Sequence, residues 1–219
     1  MKKMKVREST SFTRRLFTET FVTLAIAMLL LINAGTVSAE TTCREIRDWR
    51  WPGLEECVAK VDVSTIVARP PQSQQRSLWC WAASLSMIFT SQGHPISQSS
   101  IVLQNFGAFV NAPGGDFLTF ESRLNRQYRD DNGNSFNSTA TRIRTMEEAA
   151  DALDSDIPLL YTTTHHATVQ TELKYQQVPG GPKVIKGGKL WDPWPGKGWR
   201  TLNAGDVMSF IAAWSIETN

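Results

Sequence analysis

Residues 78–84 read LWCWAAS, a cysteine between two tryptophans at the opening of a helical pattern. Ala82, Leu85, Met87, Ile88 and Phe89 continue it with i, i+3 and i+4 steps, which predicts one apolar stripe on a helix that stops before Gly93. Ser77 suits the N-cap and Gly93 the position just past the end. Cys80 then falls in the first turn, where unpaired N–H groups and a partial positive charge favour a thiolate. A free cysteine is ordinarily a small buried hydrophobe. The rest of the chain has to choose between these two readings.

Downstream, residues 96–106 (ISQSSIVLQNF) and 117–128 (FLTFESRLNRQY) predict two more short helices, and residues 130–141 (DDNGNSFNSTAT) read as an exposed loop. Thr145 with Glu148 gives a capping-box pattern ahead of a helix in MEEAADAL. From residue 157 the character changes. IPLLYTTT, HATVQTELKY, PKVIKGGKLW and WRTL are β-like runs broken by Gly and Pro, followed by a short helix in AGDVMSFI and a last strand in AAWSIE. Upstream, residues 40–71 read as an irregular leading segment with one strand candidate, VDVSTIV, ending at Pro70 and Pro71. Helices followed by strands predict an α+β fold, a helical N-terminal half packed against a mostly antiparallel sheet.

The start of the chain is of another kind. Lys2, Lys3, Lys5, Arg7, Arg14 and Arg15 precede the apolar run FVTLAIAMLLLI at residues 21–32, and small residues follow at Ser38 and Ala39. This is the layout of a secretory signal peptide, residues 1–39, with cleavage after Ala39. The apolar run falls short of the ~20 residues that span a bilayer, so no stable membrane span is expected after cleavage. An anchor that is kept is the alternative reading. The segment holds six basic and two acidic residues, leaving 17 and 19 of the chain's 23 and 21 for the remainder. That near-neutral balance gives no basis for nucleic-acid binding. A secreted or periplasmic location follows.

Of the three cysteines, Cys43 and Cys57 lie close together in polar surroundings. In an oxidising compartment an odd count means one pair and one leftover thiol, and a Cys43–Cys57 bridge leaves Cys80 free. Pairing of Cys80 with either of the others, or an inert buried Cys80, are the competing outcomes.

Cysteine nucleophilic catalysis needs a base to move the proton, a group to orient that base, and donors for an oxyanion. The three histidines are His94, His165 and His166. His94, in QGHPIS, reads as a surface residue, whereas His165 and His166 open a β-run that can present an imidazole to a helix end. On a strand only one of the two can face Cys80, and His166, which shares its face with Thr168 and Gln170, is the one chosen. Asp192 ends a strand before a rigid proline and can hold the second ring nitrogen. Gln74, six residues before the cysteine, can offer its amide N–H groups to an oxyanion. Two have an ordinary alternative: a histidine in a strand is more often packed or solvent-facing than a base, and an Asp-Pro pair is commonly a turn.

In this order, QQRSLWCWAAS, HHATV and LWDPWPGKG resemble the papain-like cysteine peptidases, specifically a compact bacterial branch with the cysteine in CWAA and the acid in a DPWPG-like turn. The resemblance spans roughly residues 70–215. It implies a two-lobe papain-like domain over residues 72–219, Cys80 as nucleophile, His166 as general base and acid, and Asp192 as its orienting partner. It also implies an oxyanion hole from Gln74, or Gln75 one position on, with the backbone N–H of Cys80. Related sequences often carry glycine where this chain has His165. No cofactor or metal is implied, and the partner is a protein or peptide substrate. The expected activity is a secreted thiol-dependent endopeptidase. A papain-fold amidase, deamidase or transferase on cell-wall peptides or side-chain amides shares the machinery, and a non-catalytic host-interaction module is the third class. Trp79 and Trp81 around Cys80, and Trp191 and Trp194 around Asp192, either wall a cleft or fill a core.

Overall fold

One long strand, Ala167–Gln177, organises the molecule, because a strand from the start of the described chain and two from its second half pair with it. A computed structural model describes residues 41–67 and 73–219, all within one compact unit. The expected signal segment, residues 1–39, and the Pro70–Pro71 end of the leading segment lie outside the described residues. In chain order the elements are β1 (Thr42–Glu45), β2 (Glu55–Lys60), α1 (Ser64–Val67), α2 (Cys80–Ser91), α3 (Gln98–Phe106) and α4 (Phe117–Leu124). They continue with β3 (Arg126–Arg129), β4 (Ser135–Arg142), α5 (Met146–Asp154), β5 (Leu159–Thr163), β6 (Ala167–Gln177) and β7 (Val184–Asp192). β8 (Gly198–Thr201), α6 (Ala204–Met208) and β9 (Phe210–Thr218) close the chain.

The strands form a single nine-stranded antiparallel sheet. β5 pairs with the first residues of β6 and β2 with its last six, Glu172–Gln177, while β7 lies against it as well and carries β8. β9 joins β5 to β4, and β3 follows β4. This overturns the expected two-lobe papain-like arrangement with a helical N-terminal half. The first described elements are strands, and they belong to the same sheet as the C-terminal ones. The physical reason lies in β2, whose Cys57 and Ala59 turn inward to full burial and need a partner strand to satisfy their backbone groups. The register of β6 against β7 shifts after Gln170, and at Gly188 a Cβ would run into the Glu172 carbonyl, so glycine alone fits there.

α2 is the central helix of the core. Residues Trp81–Phe89 are buried without interruption, so the helix is enclosed on all sides and does not carry the single stripe expected of it. It packs against α1, α3, β5 and β6. Burying Leu85, Ile88 and Phe89 contributes roughly 1.5–3 kcal/mol each. The helix ends where expected, with Gln92 as C-cap and Gly93 at φ +92°. Its N-cap is Trp79 rather than Ser77, and that residue makes no side-chain cap.

Other local expectations shift for visible reasons. VDVSTIV forms the short helix α1, begun by Asp62 Oδ1 accepting from the Ser64 N–H at 2.9 Å. The expected loop at 130–141 becomes β4 from Ser135 onward, because Asp130 gathers the N–H groups of Asn132 and Asn134 into a tight turn. The helix expected over 117–128 stops at Leu124, and Arg126–Arg129 form β3. Thr145 caps α5 as expected, accepting from Glu148 N–H at 3.1 Å, while Glu148 reaches back to Arg144 N–H.

Cys43 and Cys57 are directly opposite on β1 and β2 and joined by a disulfide, leaving Cys80 free. Closing a loop of this length confers on the order of 3 kcal/mol in the chain-entropy picture. Cys43→Ala/Cys57→Ala is therefore expected to lower the thermal midpoint by several degrees without altering the chemistry at Cys80. Unreduced peptide mapping checks the pairing, and a bridge that includes Cys80 in folded protein contradicts it. Among the described residues, no helix is long and apolar enough to cross a membrane.

Candidate active site

Cys80 is the first residue of α2, half-buried, at the floor of a cleft of ≈520 Å³. The uncapped start of the helix leaves first-turn N–H groups without intrahelical partners beside the sulfur. Facing it across the cleft is the turn between β5 and β6, which brings His165 and His166 into the lining. Thr163 N–H donates to the His166 carbonyl at 2.8 Å and closes that turn.

His166 and Asp192 meet at the sheet's end. β7 runs antiparallel to β6 and finishes at Asp192, so the strand register delivers a carboxylate next to the residue that precedes β6. His166 Nε2 and Asp192 Oδ1 lie 2.7 Å apart. The same oxygen accepts from Trp194 N–H at 2.9 Å, and Oδ2 accepts from Arg200 Nε at 2.8 Å. With Nε2 engaged by the carboxylate, Nδ1 is the nitrogen left for Cys80, which lines the same cleft. Burial by itself opposes a charge on His166. The hydrogen bonds and charges of Asp192 and Cys80 outweigh it and raise the imidazole to about 9. Burial also opposes ionisation of Asp192, and His166, the Trp194 N–H and Arg200 overcome it, holding the carboxyl at about 2.

These shifts set a pH dependence of stability. His166 is raised above its ordinary 6.5, so its pairing contributes stability that is fully present below 6.5 and lost as pH rises through about 9. Asp192 is depressed from 3.8, so its share is present above 3.8 and lost as pH falls through about 2. The thermal midpoint of the wild type is expected to exceed that of His166→Gln below pH 6.5. That difference should shrink as the pH passes about 9, and a constant gap would show that no charged pair forms.

Gln74 is buried close to the site, tied by its backbone N–H to the Pro193 carbonyl at 2.6 Å. Its amide nitrogen donates to the Arg76 and Ser77 carbonyls at 3.0 and 2.9 Å. In that arrangement both amide hydrogens order the loop before α2, and the side chain would have to turn to reach an oxyanion. Gln75 is exposed, and its backbone N–H donates to Gln98 Oε1 at 3.0 Å. The donors that the fold does leave beside the sulfur are the backbone N–H groups at the start of α2.

The choice of His166 over His165 stands on the Asp192 contact, and the strand-face argument does not supply it. Both histidines precede β6, and Thr168 and Gln170 are as buried as Ala167 and Val169. His94 is half-buried against Phe136, ring centroids 4.2 Å apart, away from the cleft.

The tryptophans have distinct tasks. Trp79 and Trp81 are buried, and their Nε1–H groups donate to the carbonyls of Val110 and Ala112 at 2.8 and 3.2 Å. They fasten the α3–α4 connection over the helix start, where Gly114 and Gly115 form one wall of the cleft. A Cβ on Gly114 would stand 2.6 Å from the Phe120 ring, which keeps that wall close. Trp194 is 47% exposed and sets its ring edge-on to His166, with centroids 6.3 Å apart. Arg200 was not singled out by sequence reasoning. Its only signal is a cation two residues past the strand position opposite Asp192.

No family model matches the chain, and neither a curated protein nor a solved structure does.

Proposed function

We propose that the protein is a thiol-dependent hydrolase that cleaves amide bonds through an acyl-enzyme on Cys80, acting as an endopeptidase on protein or peptide substrates. The observation that carries this reading is the cleft that Cys80 and His166 line together, with the 2.7 Å His166–Asp192 contact fixing the ring. The thiolate attacks the scissile carbonyl, and the oxyanion is met by backbone N–H groups in the first turn of α2. His166, as imidazolium, gives its proton to the departing amine as the C–N bond breaks. Water then attacks the thioester, passing a proton to His166, which returns it to the sulfur as the acid leaves. Asp192 holds the ring and stabilises its charged form.

The likeness to papain-like cysteine peptidases enters through the order and roles of these three residues, not through the arrangement of the chain. The Cys43–Cys57 disulfide and the signal-like start support export to an oxidising compartment. A thiol-directed covalent inhibitor followed by a substrate screen tests the reading. Labelling of Cys80 together with loss of casein cleavage is the expected result. Labelling with turnover confined to peptidoglycan fragments or glutamine side chains would make the protein an amidase. A folded protein that takes no label is a binding module.

A further inference from the structure

We propose that Arg200 is a positioning residue for the candidate catalytic pair, a clamp that grips Asp192 through the oxygen His166 does not use and ties that carboxylate to the body of the fold. This rests on the reading of Cys80, His166 and Asp192 given above. Arg200 lies on β8, where Gly198 pairs with Asp192, so the guanidinium reaches the carboxylate diagonally across two antiparallel strands. Its Nε donates to Asp192 Oδ2 at 2.8 Å and its Nη1 to Asp206 Oδ2 at 2.6 Å. Asp206 is itself held. It completes a capping box at the start of α6, its carboxylate accepting from the Asn203 N–H at 2.9 Å. Its carbonyl accepts from the Tyr161 hydroxyl on β5 at 3.1 Å.

With Oδ1 taken by His166 and Trp194 and Oδ2 by Arg200, the Asp192 carboxylate has no free rotation left. A planar fork that joins two carboxylates is suited to this, and lysine, a single point donor, is not equivalent. The clamp has a second effect. A fixed cation behind Asp192 offsets part of the negative charge felt by the His166 ring. Arg200 thereby keeps the imidazolium from being held too tightly to surrender its proton.

The test combines a spectroscopic and a kinetic measurement on the full chain. In Arg200→Met, the NMR titration of the His166 ring is expected to move upward by about half a pH unit or more, the size of effect of losing a nearby unit charge in a water-like medium. Casein turnover should fall ~10-fold in kcat with little change in KM. In an Asp192→Ala background the same substitution should add almost nothing, because Arg200 acts through Asp192. Should Arg200→Met fail to fold, Arg200→Lys supplies the reading. It should keep the titration near that of the wild type yet lose part of kcat, since the charge stays and the fork goes. An unmoved titration with unchanged kcat, or an equal loss in both backgrounds, overturns the clamp. A moved titration in a protein that hydrolyses no amide leaves the clamp standing and removes the hydrolase.

Discussion

Cys80→Ser is expected to reduce amide turnover by on the order of 10⁴-fold or more while leaving the fold in place. The two side chains differ by one atom, and a first-turn position accepts a serine hydroxyl without strain. The chemistry does not accept it. A thiol readily gives its proton to the imidazole facing it, whereas a hydroxyl holds its own until the attack itself, and the shorter C–O bond draws the nucleophile back from the carbonyl. Thermal melting and circular dichroism should overlay the wild type, iodoacetamide should no longer modify the folded protein, and casein cleavage should fall to background. A Cys80→Ser protein that turns over at the wild-type rate would end the acyl-enzyme reading outright.

Much of the fold was legible where residues spoke in one register. α2 could be bounded because Ala82, Ala83, Leu85 and Met87 favour a helix and Gly93 supplies the left-handed turn that ends it. The β-rich second half showed itself through branched and aromatic runs cut by Gly and Pro. β2 stayed hidden because its inward residues are small, and β4 because its one large inward residue, Phe136, stands among polar neighbours in the sequence. β2 turns Cys57 and Ala59 inward among charged neighbours, and β4 turns in Ser138, whose hydroxyl donates to the Leu124 carbonyl at 2.6 Å. An inward serine that is satisfied by a backbone carbonyl looks, in sequence, like a loop residue. Missing those strands made the first half look helical where one sheet runs through.

The site was legible in its residue types and less so in its supports. Cys80, His166 and Asp192 could be chosen from a helix start, a strand start and a strand end. Arg200 could not, because its role depends on the β7–β8 register, and no spacing along the chain reports which residues lie diagonally across a hairpin. Gln74 was read as a donor to substrate from its distance to the cysteine. The loop's own carbonyls at Arg76 and Ser77 compete for the same hydrogens.

His166→Ala is expected to lower turnover by ~10²–10⁴-fold, the range for a lost general base, while His165→Ala stays within a few-fold of the wild type. Both imidazoles line the cleft, so proximity alone does not separate them. The separation comes from the second partner. His166 has a carboxylate at 2.7 Å that fixes which nitrogen faces Cys80 and stabilises the charged ring, and His165 is exposed in the turn before it. A base without an orienting group samples many rotamers and rarely meets the nucleophile, so the fixed ring is the effective one. The pH profile adds an independent check. Turnover through His166 requires the imidazolium to protonate the leaving amine, so activity should decline as pH rises through about 9. In His165→Ala that alkaline limb should remain where it is, and in His166→Ala the residual activity should lose it. Full activity in His166→Ala with loss in His165→Ala would reverse the assignment, and it would require the β5–β6 turn to present the other ring to Cys80.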